Sequence, residues 1–183
     1  FKLFIMKKYI LLFATIFFVA CQQPTNSLAV VKSDDDKTKA IEEMLQNYLA
    51  YGTDAYVEGL GQSMVSEDLA GNNSIPGFEV NSESFNVDAQ HHALFENISM
   101  NLPGDEDGWG GLHTNYYENG GIFTHYWGTW SAKGRFTGNE SSQFIHLNWG
   151  WNAEGQIIYH NIHVDGKDIL AELNAAQAAS GSE

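Results

Sequence analysis

From residue 34 onward the polar and apolar positions fall into helical and then alternating patterns. Asp34, Asp35 and Asp36 precede Ile41, Met44, Leu45, Tyr48 and Leu49, which recur at i, i+3, i+4, i+7 and i+8. That spacing places them on one helix face, with the acidic residues at its positive end and Gly52 as its stop. Asp54 offers a second N-cap. Tyr56, Leu60 and Met64 predict a second helix over 55–69, although Gly59 and Gly61 weaken it. Residues 70–79 read as a loop and 81–90 as a short third helix. From residue 91 the period drops to two. Strands are expected over 92–100, 112–118, 122–132, 143–151 and 156–165. Between them lie an acidic, glycine-rich turn at 103–111, the Asn119-Gly120-Gly121 hairpin signal, a Thr137-Gly138 turn and a turn at 152–155. Residues 167–178 suit a closing helix, and 179–183 are expected to fray. Helices followed by an antiparallel meander predict an α+β architecture, with helices packed on one face of a curved sheet.

The segment ahead of this domain reads as an address. Lys7-Lys8 lead into Tyr9–Ala20, apolar except for Thr15, which is a basic region followed by a short hydrophobic one. The run is shorter than the roughly 20 apolar residues a span needs. Phe18-Val19-Ala20-Cys21 resembles a bacterial lipobox, and Cys21 is the single cysteine of the chain. The expected organisation is a signal peptide over 1–20, with Met6 as the start and residues 1–5 upstream of it. A lipidated Cys21 and polar tether over 21–36 then lead to the domain at 37–178. An acylated Cys21 would anchor the protein to a membrane and place the domain in the cell envelope, facing the periplasm or exterior. One cysteine excludes a disulfide framework and a cysteine-rich zinc module.

The chain carries 9 basic and 23 acidic residues, a net charge of −14. Loss of Lys2, Lys7 and Lys8 with the leader brings the charge to −17. A body this acidic is a poor partner for nucleic acid, and none is expected. Hydrophobic residues make up 43% of the chain, enough for a core.

Three features carry a family resemblance. The helical pattern at 41–51 breaks near Asp54; a long strand ends in a charged turn and Thr137-Gly138; and a last hairpin runs from Trp149-Gly150-Trp151 through Gly155-Gln156-Ile157-Ile158 to Val164-Asp165. In this order, over about residues 37–172, the chain resembles the nuclear transport factor 2-like superfamily, and within it the SnoaL-like branch. The resemblance implies a cone: a strongly curved, mostly antiparallel sheet wrapped around N-terminal helices, leaving an apolar pocket open at one end. Its members include ketosteroid isomerase, scytalone dehydratase, polyketide cyclases and many binding domains without catalysis. It also implies the outer sheet face as a common homodimer interface.

Strand alternation supplies pocket candidates. Phe123, His125 and Trp127 share one face of their strand, His146 and Asn148 one face of the next, and His160 and Ile162 one face of the last. If the strands pair as a meander, His125, His146 and His160 converge on the concave face. The expected pocket residues are then His125, Trp127, His146, Asn148, His160 and Ile162, with His160 as the proton carrier. Three readings compete for these histidines: satisfied polar members of the sheet, a general acid/base site, and a metal site. The metal reading ranks third, because no carboxylate lies on the candidate face and His160 and His163 point to opposite sides of a strand. No metal and no cofactor are expected. In the cyclases an acid/base carboxylate follows a histidine by two residues on the last strand. The matching pair here is His160 and Ile162, and Ile162 cannot transfer a proton. Glu96 and Asp54 are candidate substitutes, while Asp165 matches the family's strand-end aspartate, which is more often structural than catalytic. Trp127, Trp130, Trp149 and Trp151 place indoles on both sheet faces, for packing, dimerisation or ring stacking. Asp105-Glu106-Asp107-Gly108 lacks the later ligands of a calcium loop.

Two functions fit. One is a membrane-anchored extracytoplasmic domain that binds a small, largely apolar molecule in its cone, with isomerase, dehydratase or hydrolase chemistry. The other is a non-catalytic dimeric interaction module of the cell envelope.

Overall fold

Asp35 starts the first helix: its carboxylate accepts the Thr38 N–H at 3.0 Å, satisfying one of the donors that a helix start leaves open. The computed structural model describes residues 28–103 and 111–181. The leader with Met6, Cys21, residues 22–27 and most of the acidic turn, including Asp105–Gly108, lie outside the described residues. Helix α1 spans Asp36–Leu49 and buries Ile41 and Leu45, the stripe its spacing predicts. Strand β1, Ala29–Lys32, precedes it. Residues 29–32 were expected within the tether; instead they pair antiparallel with a later strand, from Ala29 opposite Tyr117 to Lys32 opposite Thr114. Val30 and Val31 supply β-branched side chains suited to an edge strand.

The second helix is much shorter than its pattern suggests. Gly59 takes a left-handed φ of 74°, helix α2 covers only Leu60–Ser63, and Val65–Asn73 forms strand β2. The segment has glycines at its helical start and finds an open sheet edge to pair with, which outweighs the i, i+4 spacing of three apolar residues. Helix α3, Asp88–Leu94, leads straight into strand β3, Phe95–Met100. Strands β4 (Gly111–Tyr117), β5 (Ile122–Gly134), β6 (Glu140–Trp151) and β7 (Ile157–His163) form the meander, and helix α4 (Lys167–Ser180) closes the chain.

The sheet order is β1-β4-β5-β6-β7-β2. β5 is long enough to take two partners on one edge: β4 beside its first half and β3 beside its second. All neighbours are antiparallel except β2, which runs parallel to β7. Register shifts interrupt β2 between Val65 and Ala70, β3 between Glu96 and Ser99, and the β6–β7 pair at Gly150/Trp151. Such bulges bend a sheet and re-aim its side chains. The inner face buries Tyr126, Trp130, Ile145, Trp149 and Ile157 against α1, with Tyr126 and Ile157 wholly inaccessible. Each such large apolar side chain contributes about 1.5–3 kcal/mol. A chain of hydroxyls ties α1 to the sheet: Thr38 and Thr114 at 2.8 Å, Thr114 and Thr124 at 2.9 Å, with the Trp151 indole N–H donating to Thr124 at 2.8 Å. The fold class is the expected α+β one, with helices on one face of a large curled sheet. No helix among the described residues is long and apolar enough to cross a membrane.

At the far end, Glu172 of α4 is 1% exposed and caps the β5–β6 hairpin. Its carboxylate accepts the Phe136 N–H at 2.5 Å, the Thr137 N–H at 3.1 Å and the Thr137 hydroxyl at 2.6 Å. Burial pushes this carboxyl up, but those bonds outweigh it and hold it below the ordinary range. A side chain at Gly134 would meet Glu172, with a Cβ only 2.2 Å from its oxygen.

Candidate functional site

Between α1, α3, α4 and the inner face of β5–β7 lies a cavity of about 200 Å³. Its walls are mostly apolar: Met44 and Leu45 from α1, Trp130, Ile145, Leu147 and Trp149 from the sheet, Ile169 and Leu173 from α4, and Phe78 and Phe85 from the long connection after β2. Alternation puts these sheet residues inward, because every second side chain of β5 and β6 faces the helices.

His160 lines this cavity with Ile162. It is 8% exposed and stacks on Trp149, ring centres 5.1 Å apart and planes within 13°. Phe85 meets it edge-on at 5.4 Å. Its Nδ1 lies 3.1 Å from the carbonyl oxygen of Asn148. A carbonyl only accepts, so Nδ1 carries the hydrogen and Nε2 is left as an acceptor. Burial drives the imidazole down to about 4, against the opposing pull of the Asn148 carbonyl, so the ring is neutral at pH 7.

The remaining predicted pocket residues are elsewhere. His125, Trp127, His146 and Asn148 do not line the cavity; they stand on the opposite, outward face of the sheet. The convergence of His125 and His146 with His160 fails for a reason of register. His146 pairs with His163, and the bulge at Gly150/Trp151 shifts β7 so that His160 faces Trp149 on the inner side. Glu96 sits beside Lys133 and Arg135, 3.6 Å from each, and Asp54 is exposed in a turn; neither reaches the cavity.

Three polar groups that sequence reasoning did not assign complete the site. The Trp130 indole donates to the Tyr48 hydroxyl at 3.0 Å, and that hydroxyl lies 3.1 Å from His91 Nδ1. Burial raises the Tyr48 phenol well above its ordinary value, against the Trp130 bond, and lowers His91 to about 4. Asp88, three residues before His91 on the same face of α3, also lines the cavity. Its carboxylate accepts the Tyr56 hydroxyl at 3.2 Å. Burial pushes it up, opposed by Tyr56 and by His92. The available signals were a tyrosine within the aliphatic stripe of α1 and the Asp88/His91 spacing. Neither reveals what stands opposite. Trp149 Nε1 is buried without a partner among the described residues, a donor that a water or ligand oxygen would satisfy.

The outward face has its own order. His113, His125, His146 and His163 stand in a row across β4 to β7, ring centres 5.5, 5.5 and 5.6 Å apart. His125 Nδ1 and His146 Nε2 are 3.2 Å apart, planes within 6°, so the two rings meet edge to edge. Trp127 stacks on His146 at 3.6 Å. Burial, with the neighbouring imidazoles, lowers His146 to about 4, and burial with His113 lowers His125. The row does not converge: no group of three metal-ligating side chains among the described residues is arranged around one point.

No family model and no curated protein matches the sequence. Among solved structures, that of the BvnE pinacolase from Penicillium brevicompactum matches with a TM-score of 0.53 at 12% identity, covering 86% of this chain and 98% of that one. At that identity the likeness is one of fold.

Proposed function

We propose, taking the nuclear transport factor 2-like cone as the premise, that this domain binds a small, largely apolar molecule in its cavity. The observation that carries the reading is a mostly apolar chamber whose lining includes the titratable groups His160, Tyr48, His91 and Asp88. The chemistry these groups support is proton transfer. His160 offers a neutral Nε2 as acceptor, and the Tyr48 phenol carries a proton whose release burial makes harder. The activities to assay are isomerisation, dehydration and hydrolysis, with His160 as proton acceptor. The proposal includes membership of the SnoaL-like branch and an extracytoplasmic position held by lipidated Cys21.

Native mass spectrometry of the purified chain, beside its denatured mass, tests the binding. The expected result is an organic adduct lost on denaturation, or saturable quenching of tryptophan fluorescence by an added probe such as cyclohexylmethanol, since Trp130 and Trp149 line the chamber. No adduct and no saturable quenching would overturn it.

A second reading has an observation of its own. Trp127 and Phe144 are 40% and 50% exposed side by side on the outward face, with Trp127 stacked on the His146 imidazole. In a chain of net charge −14 this patch suits contact with a second copy, and a dimer through this face is proposed alongside the ligand.

A further inference from the structure

The cavity binds a ligand of uncommitted charge in the reading above, and its lining narrows that choice. Among the described residues no lysine or arginine lines it, and Asp88 is the carboxylate that does. Five aromatic rings, those of Tyr48, Phe78, Phe85, Trp130 and Trp149, form part of the wall. Aromatic faces carry negative potential and attract cations, most strongly where water is excluded.

The hydrogen-bonding inventory leans the same way. His160 presents an acceptor, because its one N–H is committed to the Asn148 carbonyl. Asp88 presents carboxylate oxygens, with Tyr56 as donor to one of them. Several donors of the lining are already used: the Trp130 indole goes to Tyr48, and the Asn47 amide is closed in both directions on Val57. Trp149 Nε1 and the side-chain amides of Asn73, Asn86 and Gln90 remain as donors, but all are neutral N–H groups and cannot balance an anion's charge. A half-buried carboxylate with a neutral donor as its contact gains most from a positive partner. The chain's net charge of −14 draws cations toward any opening in its surface.

We infer that the ligand is a protonated amine on a compact hydrocarbon body, its ammonium held by Asp88 at the polar end and its apolar part against the aromatic wall. This rests on the cavity being a ligand site, and it goes further by assigning the ligand's charge. It also gives Asp88 a recognition role distinct from proton transfer.

The test is a matched series on the purified full chain: cyclohexylmethylamine, cyclohexylmethanol and cyclohexanecarboxylate, titrated at pH 7 by calorimetry and tryptophan fluorescence. The amine should bind at least tenfold more tightly than the alcohol, and the carboxylate at least tenfold more weakly. In Asp88→Asn the amine should fall to within about twofold of the alcohol. Selectivity in the unaltered chain is read without the variant, so a variant that fails to fold leaves the inference exposed to disproof. Alcohol binding as tight as amine binding overturns the assigned charge and leaves the ligand site standing. An amine preference that survives in a folded Asp88→Asn overturns the role of Asp88. Saturable binding by none of the three overturns the ligand site itself.

Discussion

His160 and His91 are imidazoles kept neutral by their surroundings, and that has a sign. Each has a folded value of about 4 against an ordinary 6.5. Between those limits the unfolded chain binds more protons than the folded one, so stability is fully present above pH 6.5 and is lost as pH falls toward 4. The slope approaches ~1.4 kcal/mol per pH unit for each imidazole held neutral. Urea unfolding at a series of pH values should show this loss, and His160→Gln should make the slope shallower by about one proton whatever it does to stability at pH 7. An unchanged slope would mean that His160 is not held neutral. Glu172 gives a second residue-scale prediction. With two backbone N–H groups and a hydroxyl converging on its carboxylate, Glu172→Gln should cost about 2–4 kcal/mol in chemical denaturation. The inward position of His160 was legible because a strand with a period of two offers only two faces. It missed Tyr48, His91 and Asp88 because their meaning depends on what faces them from β5 and β7, which no local pattern records. It misplaced His125 and His146 because one bulge, at Gly150/Trp151, changes the parity between β6 and β7.

Elements were legible where their period was carried by several apolar residues in succession. α1 followed from a stripe of five, and β4 through β7 from alternation punctuated by turns; Gly120, Gly138 and Gly155 all take the positive φ those turns require. β2 was not legible. Of Val65–Asn73 only Leu69 is buried, so the segment shows no alternation, and its identity as a strand comes from a partner far along the chain. Gly71 marks that partnership. It sits opposite His160, where an added Cβ would lie 1.8 Å from the His160 carbonyl oxygen. Gly71→Ala should therefore pry β2 from β7, lowering stability by about 1–3 kcal/mol, with amide hydrogen exchange accelerating first along these two strands. Retention of full protection there would show that the edge yields without separating.

At the scale of the whole molecule, two faces of one sheet carry two different chemistries. The inner face closes the chamber, and the outward face presents Trp127, Phe144 and the imidazole row. Changes outside should leave the inside alone. Trp127→Ala with Phe144→Ser is expected to shift sedimentation from dimer to monomer with probe binding unaltered. A dimer that persists would remove that face from the interface. Cys21→Ser is expected to release the protein from the membrane fraction and to abolish the lipid mass in whole-protein mass spectrometry. A chain that stays membrane-bound would refute the anchor.

The parallel pairing of β2 with β7 also sets an order of events in time. Ser74, just past the end of β2, exchanges hydrogen bonds with Val164 at a separation of 90 residues. Contacts between such distant segments form late, since the loop must close before they repay its entropy. A nascent chain emerging N-terminus first can assemble α1 and the β4–β5 hairpin while the wall that carries His160 is still unmade. The chamber is complete only once β7 and the α4 residues Ile169 and Leu173 are in place. A chain truncated before residue 157 should thus hold much of its sheet and none of its capacity for a guest.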